Sequence, residues 1–252
     1  MIVLYASDLF LIESKYNQLS LLVDHFKPDY VILNGSLFSP HPYYKGGSET
    51  IDNIGEILRY LARYTKVICQ LGNFDSPQFN EFLNTLCQKS ENIINLTDKH
   101  FFYDVITFLG VSGVVTNRYN SEWLLPDDRN IKSIESQLDM LTLQCDLQNT
   151  VLVTSVPPIG LGLDTSDDPL NHGSYTLRRF LYKEPVAPRL LLSSGFPDNF
   201  KYTKRYFTNI NGCVCVNPSQ PLDDFYYCIL NVDNNLNVTD IWHPKKFYSE
   251  GN

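Results

Sequence analysis

Gly72-Asn73-Phe74-Asp75 is where this chain turns a buried run into a place for side-chain chemistry. The apolar residues 67–71 before it read as a buried strand, and the glycine lets the backbone turn as it leaves the sheet. Ser76-Pro77 then starts a helix, with Ser76 at the N-cap and Pro77 at the first helical position. In a hydrolytic α/β enzyme such a turn delivers a metal ligand or a proton donor. Here its chemical position, Phe74, is a hydrocarbon ring. His41, His172 and His243 have ligand or acid–base chemistry, and His172 reads as a loop histidine beside a helix start. Residues 164–168 hold three carboxylates and read as an ordinary acidic loop rather than a calcium site. Cys213-Val214-Cys215 puts two sulfurs on one strand face without the partner ligands a zinc site needs. Lys201, Lys204 and Arg205 alternate with Tyr202, Tyr206 and Phe207, a miniature of a nucleic-acid contact strip that reads as a solvated hairpin face. Phe38, Tyr43 and Tyr44 stand in a long loop, either to anchor a partner protein or to fold back over the site.

The elements that must position these groups follow from periodicity. Residues 1–6 form a first strand, 14–26 a helix with Ser14 as its N-cap, and 30–33 a second strand ending at Asn34-Gly35-Ser36. Ile51, Ile54, Leu58 and Leu61 mark a second helix; Phe79, Phe82, Leu83 and Leu86 mark a third. This β-α-β-α-β-α order predicts parallel strands with right-handed crossovers. From Ile93 the runs shorten, as at 93–96, 101–103 and 106–111, and their tight links predict antiparallel pairing. Ile131, Ile134, Leu138 and Leu141 give a fourth helix, 174–182 a fifth, and strands at 151–154, 189–192, 213–216, 225–232 and 238–243 complete the chain. A single domain over 1–252 is expected.

With 252 residues, 43% of them hydrophobic, the chain can bury a sizeable core. A net charge of -8 disfavours a dominant nucleic-acid or anionic-membrane role, though not a local basic patch. No segment reads as a signal peptide or a membrane span, so a cytoplasmic protein is expected. The six scattered cysteines then read as core thiols, and the sequons at Asn95 and Asn237 as idle.

Six strand-end turns stand in order: Asp8-Leu9-Phe10, Gly35-Ser36, Gly72-Asn73-Phe74-Asp75, Ser155-Val156-Pro157-Pro158, Gly195-Phe196-Pro197-Asp198 and Asn217-Pro218-Ser219. Their spacing resembles the calcineurin-like metallophosphoesterases, from Met1 to about Asp233. That family reads D-x-H, G-D, G-N-H-D/E, H-x-P-P, G-H-x-H and a late N-P-G-S. The resemblance implies a four-layer αββα sandwich of two mixed β-sheets flanked by helices. In active relatives two metal ions lower the pKa of a bound water and clamp the phosphoryl oxygens, and the G-N-H histidine assists the leaving group.

Residue by residue, little of that apparatus is kept. Asp8 and Asn73 match ligands. Phe10 stands for a histidine, Ser36 for the bridging aspartate, Phe74 for the catalytic histidine, Ser155 for the histidine before P-P, Phe196 for a histidine and Asp198 for another. The resemblance therefore implies a degenerate, pseudoenzyme-like member with no catalytic centre and no cofactor. At most Asp8, Asn73 and Asp198 would hold a divalent cation weakly through oxygen. Phe10, Phe74 and Phe196 are expected to plug the former metal pit. Non-catalytic relatives serve as subunits of larger assemblies, so a protein partner is expected. The alternatives are a phosphoesterase rebuilt around one metal and a nucleic-acid accessory subunit.

Overall fold

The computed structural model describes residues 1–38, 51–72, 74–112, 114–116, 121–123, 134–143, 145–167, 171–183 and 187–245. The chain begins with β1 (Ile2–Ser7), α1 (Glu13–Phe26), β2 (Tyr30–Gly35), α2 (Ile51–Leu61), β3 (Lys66–Leu71), α3 (Pro77–Lys89) and β4 (Ile93–Asn95). It continues with β5 (His100–Tyr103), β6 (Ile106–Val111), β7 (Val114–Thr116), β8 (Ser121–Trp123), α4 (Ile134–Thr142) and β9 (Thr150–Thr154). Then come α5 (Tyr175–Lys183), β10 (Leu190–Ser193), α6 (Asn199–Thr203), β11 (Phe207–Ile210), β12 (Cys213–Val216), β13 (Cys228–Val232) and β14 (Val238–Trp242).

Two six-stranded sheets result, ordered β14-β13-β1-β2-β3-β4 and β11-β12-β10-β9-β6-β5. The strands β1 to β4 run parallel, with β13 antiparallel beside β1. In the second sheet β6, β9, β10 and β12 run parallel, while β5 and β11 are antiparallel edges. Strand β4 therefore departs from the antiparallel pairing expected after Ile93. Helix α3 carries the chain back over the sheet before β4, and a crossover of that kind returns it parallel.

Period-two alternation sets the layers. Leu4, Ala6, Val31, Leu33, Val67 and Cys69 pack against residues of α1, α2 and α3. Their neighbours Val3, Tyr5, Ile32 and Ile68 face Phe108, Val151, Val153, Leu190 and Leu192 of the other sheet. Leu109, Val111, Leu152 and Leu191 turn outward to α4 and α5. The order is helices, sheet, sheet, helices: an α/β sandwich of four layers. All six cysteines are free thiols.

Helix α1 starts at Glu13, and Ile12 rather than Ser14 holds the N-cap position. Leu9 and Ile12 are buried, so the chain stays turned inward up to Ile12 and leaves the exposed Ser14 inside the first turn. Ser76 and Pro77 do open α3 as expected, although the serine hydroxyl makes no capping bond. Residues 199–203 are helix α6, not a hairpin arm, and Lys204 closes it in the left-handed region.

A polar stitch crosses the apolar layer between the sheets. Asn34 Nδ2 donates to Thr154 O at 2.7 Å, to Leu192 O at 3.3 Å and to the Tyr5 hydroxyl at 3.2 Å. Tyr5 in turn donates to Ser193 O. Replacing Asn34 by Leu keeps the branched shape but removes every donor that Asn34 gives the stitch and the acceptor of Gly35 N. Urea unfolding of Asn34→Leu is expected to report a loss of about 2–4 kcal/mol; an unchanged midpoint would show that the stitch carries no stability.

Candidate functional site

The strand-end turns of β1, β2, β3, β9 and β10 converge at the C-terminal edges of the two sheets. Asp8, first after β1, sits in the left-handed region with φ 49° and is buried. Phe10, Leu11, Phe196 and Ser219 share that conformation, which costs a non-glycine residue about 1–2 kcal/mol. The Asp8 carboxylate offsets the strain by joining two turns: Oδ1 accepts from Ser36 N at 3.2 Å, and Oδ2 accepts from Gly195 N at 2.7 Å. Burial pushes its carboxyl up, and the bonds from Gly195 and Ser36 pull it back.

The turns pack backbone against backbone. A Cβ on Gly35 would stand 2.3 Å from Asp8 Oδ1 and 2.7 Å from Ser194 Cβ, and one on Gly72 would stand 2.3 Å from the Gly35 carbonyl carbon. Ser36, Ser155 and Ser194 are buried around Asp8 and its two tethered turns. Asp75, whose role the sequence reading left open, clamps the rim: its carboxylate accepts from Gly72 N at 3.1 Å, Leu37 N at 2.9 Å and Phe38 N at 2.8 Å. Its signal was present as an acidic side chain three residues after a strand-ending glycine.

The expected three-ring plug is corrected by this geometry. Phe10 is buried and lies 6.1 Å from the Phe74 ring, but Phe74 is 54% exposed. Phe196 stacks on His172 at 6.0 Å. Of the three rings only Phe10 is buried, and at Gly35 and Gly72 the turns approach too closely to leave room for a Cβ. Of the oxygen site expected from Asp8, Asn73 and Asp198, two members lie among the described residues. Asp8 is buried, whereas Asp198 is exposed at the N-cap position of α6; Asn73 lies outside the described residues.

Phe38 is not the surface anchor expected of it. It is fully buried, 5.6 Å from the Phe82 ring and 6.1 Å from the Phe79 ring, because Asp75 draws its backbone inward. Tyr43, Tyr44 and His41 lie outside the described residues. Asp164, expected in an open acidic loop, is fully buried, and its Oδ2 accepts from Gly160 N and Gly173 N. It shapes the turn that carries His172. Lys201, Lys204 and Arg205 are exposed; Lys201 lies over the Tyr202 ring and Lys204 over the Phe200 ring.

Lys15, which spacing did not reveal, and His243, named above for its ligand or acid–base chemistry, both carry structural weight. Lys15 is buried and donates to Pro221 O at 2.6 Å. Burial pushes its ammonium down to about 8, against the pull of Asp8, Asp223 and Asp224. His243 is stacked on Tyr206 at 4.5 Å, with Phe200 and Tyr226 around it. It accepts from Lys245 N at Nδ1 and donates from Nε2 to Pro218 O at 3.1 Å, which pins the Asn217-Pro218-Ser219 turn.

The donor set does not fit a pair of metal ions. The turns present Phe10, Ser36, Phe74, Ser155 and Phe196, none of them an imidazole or a carboxylate, and Asp8 is engaged by main-chain N–H groups. Among the described residues no group of three or more His, Cys, Asp or Glu side chains is placed to hold a metal. Nor is any described helix long and apolar enough to cross a membrane.

No family model and no curated protein sequence matches this chain. Solved structures do. The protein TT1561 of Thermus thermophilus superposes with a TM-score of 0.67 at 13% identity, over 96% of this chain and 97% of that one. A phosphatase from Mycoplasma pneumoniae gives 0.51 at 10% identity over 96% and 92%, and an archaeal phosphodiesterase 0.50 at 10% over 96% and 98%. The fold is that of the metallophosphoesterases.

If Asp8 acts as a tether, removing it costs stability whether or not metal is present. Asp8→Ala leaves the Ser36 and Gly195 N–H groups unpaired and is expected to lose about 2–4 kcal/mol. The loss should be equal in EDTA and in manganese; a loss seen only with manganese would make Asp8 a ligand instead. His243 gives a second test. Burial depresses its pKa from 6.5 to about 4. The folded state therefore holds its full stability above pH 6.5, and loses it as the pH falls toward 4. The difference amounts to about 3 kcal/mol at low pH. His243→Gln should flatten that part of the urea-midpoint profile; parallel profiles would refute it.

Proposed function

We propose that this chain is a catalytically inactive protein of the metallophosphoesterase fold that serves as a protein-interaction or structural subunit of a larger assembly. The state of Asp8 carries the reading. Its two carboxylate oxygens accept main-chain N–H bonds from both sheets' turns, so the one retained acid of the first turn serves the fold. Phe10, Ser36, Phe74, Ser155 and Phe196 supply neither the imidazoles nor the bridging carboxylate that activation of a metal-bound water requires. A rigid body whose turns keep their shape remains useful as a surface. Phe74 is exposed on that rim beside Phe10, and Tyr43 and Tyr44 follow Phe38 in the sequence. Aromatic side chains at a rim are the usual anchors of a protein interface.

With manganese or magnesium supplied, hydrolysis of bis(p-nitrophenyl) phosphate is expected to run no faster than in EDTA. Metal-dependent turnover abolished by Asp8→Asn would replace this reading with a phosphoesterase rebuilt around one metal. In its native extract the protein is expected to elute with a larger assembly, and Phe74→Ser to release it. Elution as a free monomer would contradict the subunit role.

A further inference from the structure

The edge of the first sheet opposite the strand-end turns holds a cleft of about 600 Å³. Its walls are the segments that enter β2 and β3, together with the end of β5. Lys27 reaches it from the segment that enters β2, and Arg63 and Lys66 from the one that enters β3, in a chain whose net charge is -8. None of the three forms an ion pair among the described residues. Asp29 is the lining carboxylate, and its Oδ2 accepts from Ile2 N at 2.7 Å. Lys66 is held in place, its Nζ donating to Asn92 Oδ1 at 3.1 Å and lying 4.5 Å from the centre of the Tyr103 ring. The lining rings of Tyr64 and Tyr103 are 62% and 43% exposed. Thr65, also in the wall, is buried, and its hydroxyl has no hydrogen-bond partner.

We propose that this cleft binds a nucleotide, its phosphates gripped by Lys27, Arg63 and Lys66 and its base held against Tyr64 and Tyr103. The volume suits a small molecule of that size, within the roughly 300–1,000 Å³ typical of ligand pockets. Cations without carboxylate partners select an anion, and guanidinium and ammonium groups match phosphate oxygens. Exposed tyrosine rings beside them select a flat ring over a bare anion. The site stands apart from the strand-end turns and does not depend on whether those are inactive.

Isothermal titration of the full chain with ATP and with inorganic tripolyphosphate tests this. ATP is expected to bind saturably, tripolyphosphate more weakly. Arg63→Ala should weaken both by about tenfold, the loss of one charge-assisted contact. Tyr64→Ala should weaken ATP alone. Both side chains are exposed, so the variants should keep the parent's thermal midpoint, which is measured alongside. Three outcomes would overturn the proposal: no saturable ATP binding at millimolar concentration, binding indifferent to Arg63→Ala, or tripolyphosphate binding as tightly as ATP. An oligonucleotide that binds more tightly than ATP and is lost in Arg63→Ala would also overturn it, by making the cleft a nucleic-acid surface.

Discussion

One buried carboxylate holds the two sheets in register at the end where their turns meet. Asp8 leaves β1 in a strained conformation and accepts from Ser36, which follows β2, and from Gly195, which follows β10. One sheet supplies the acid and one donor; the other sheet supplies the second donor. Just below, Asn34 and Tyr5 repeat the arrangement with neutral groups, reaching Thr154, Leu192 and Ser193 across the same gap. Hydrophobic burial brings two sheets together but does not fix their offset, because it has no direction. These hydrogen bonds do have direction, and so they select one offset.

The electrostatics of that end are unusual for a buried acid. Moving a carboxylate out of water is costly unless hydrogen bonds or a counter-charge compensate. Here the compensation comes from main-chain donors, with Lys15 as a buried cation whose own ammonium feels Asp8. The close packing at Gly35 and Gly72 brings the turns into direct contact. Asp75 and Asp164 act in the same way at neighbouring turns, each committing a carboxylate to main-chain N–H groups. Charge in this protein's interior shapes loops, whereas cationic charge gathers at the opposite edge, around Lys27, Arg63 and Lys66.

Much of the architecture was legible in the chain. The alternation of apolar runs with helical spacing gave the parallel strands β1 to β3 and their crossovers, and Ser76-Pro77 gave the start of α3. The order of the six turns pointed to the fold that the solved structures share. What spacing misjudged lay where partners come from far away. The pairing of β4, the depth of Phe38 and the exposure of Phe74 depend on neighbours distant in sequence, and local pattern does not encode them.

The sequence by itself settled which side chains stand in the strand-end turns, because identity at a strand end is written in one dimension. That Phe10, Ser36, Ser155 and Phe196 stand there needs no coordinates. Only the tertiary structure decided what became of the space between them. A carboxylate's preference for a cation or for main-chain N–H groups depends on which donors lie within about 3 Å of it. That distance is set by how two sheets close on one another, and turns as far apart in sequence as Asp8 and Gly195 meet only after they have.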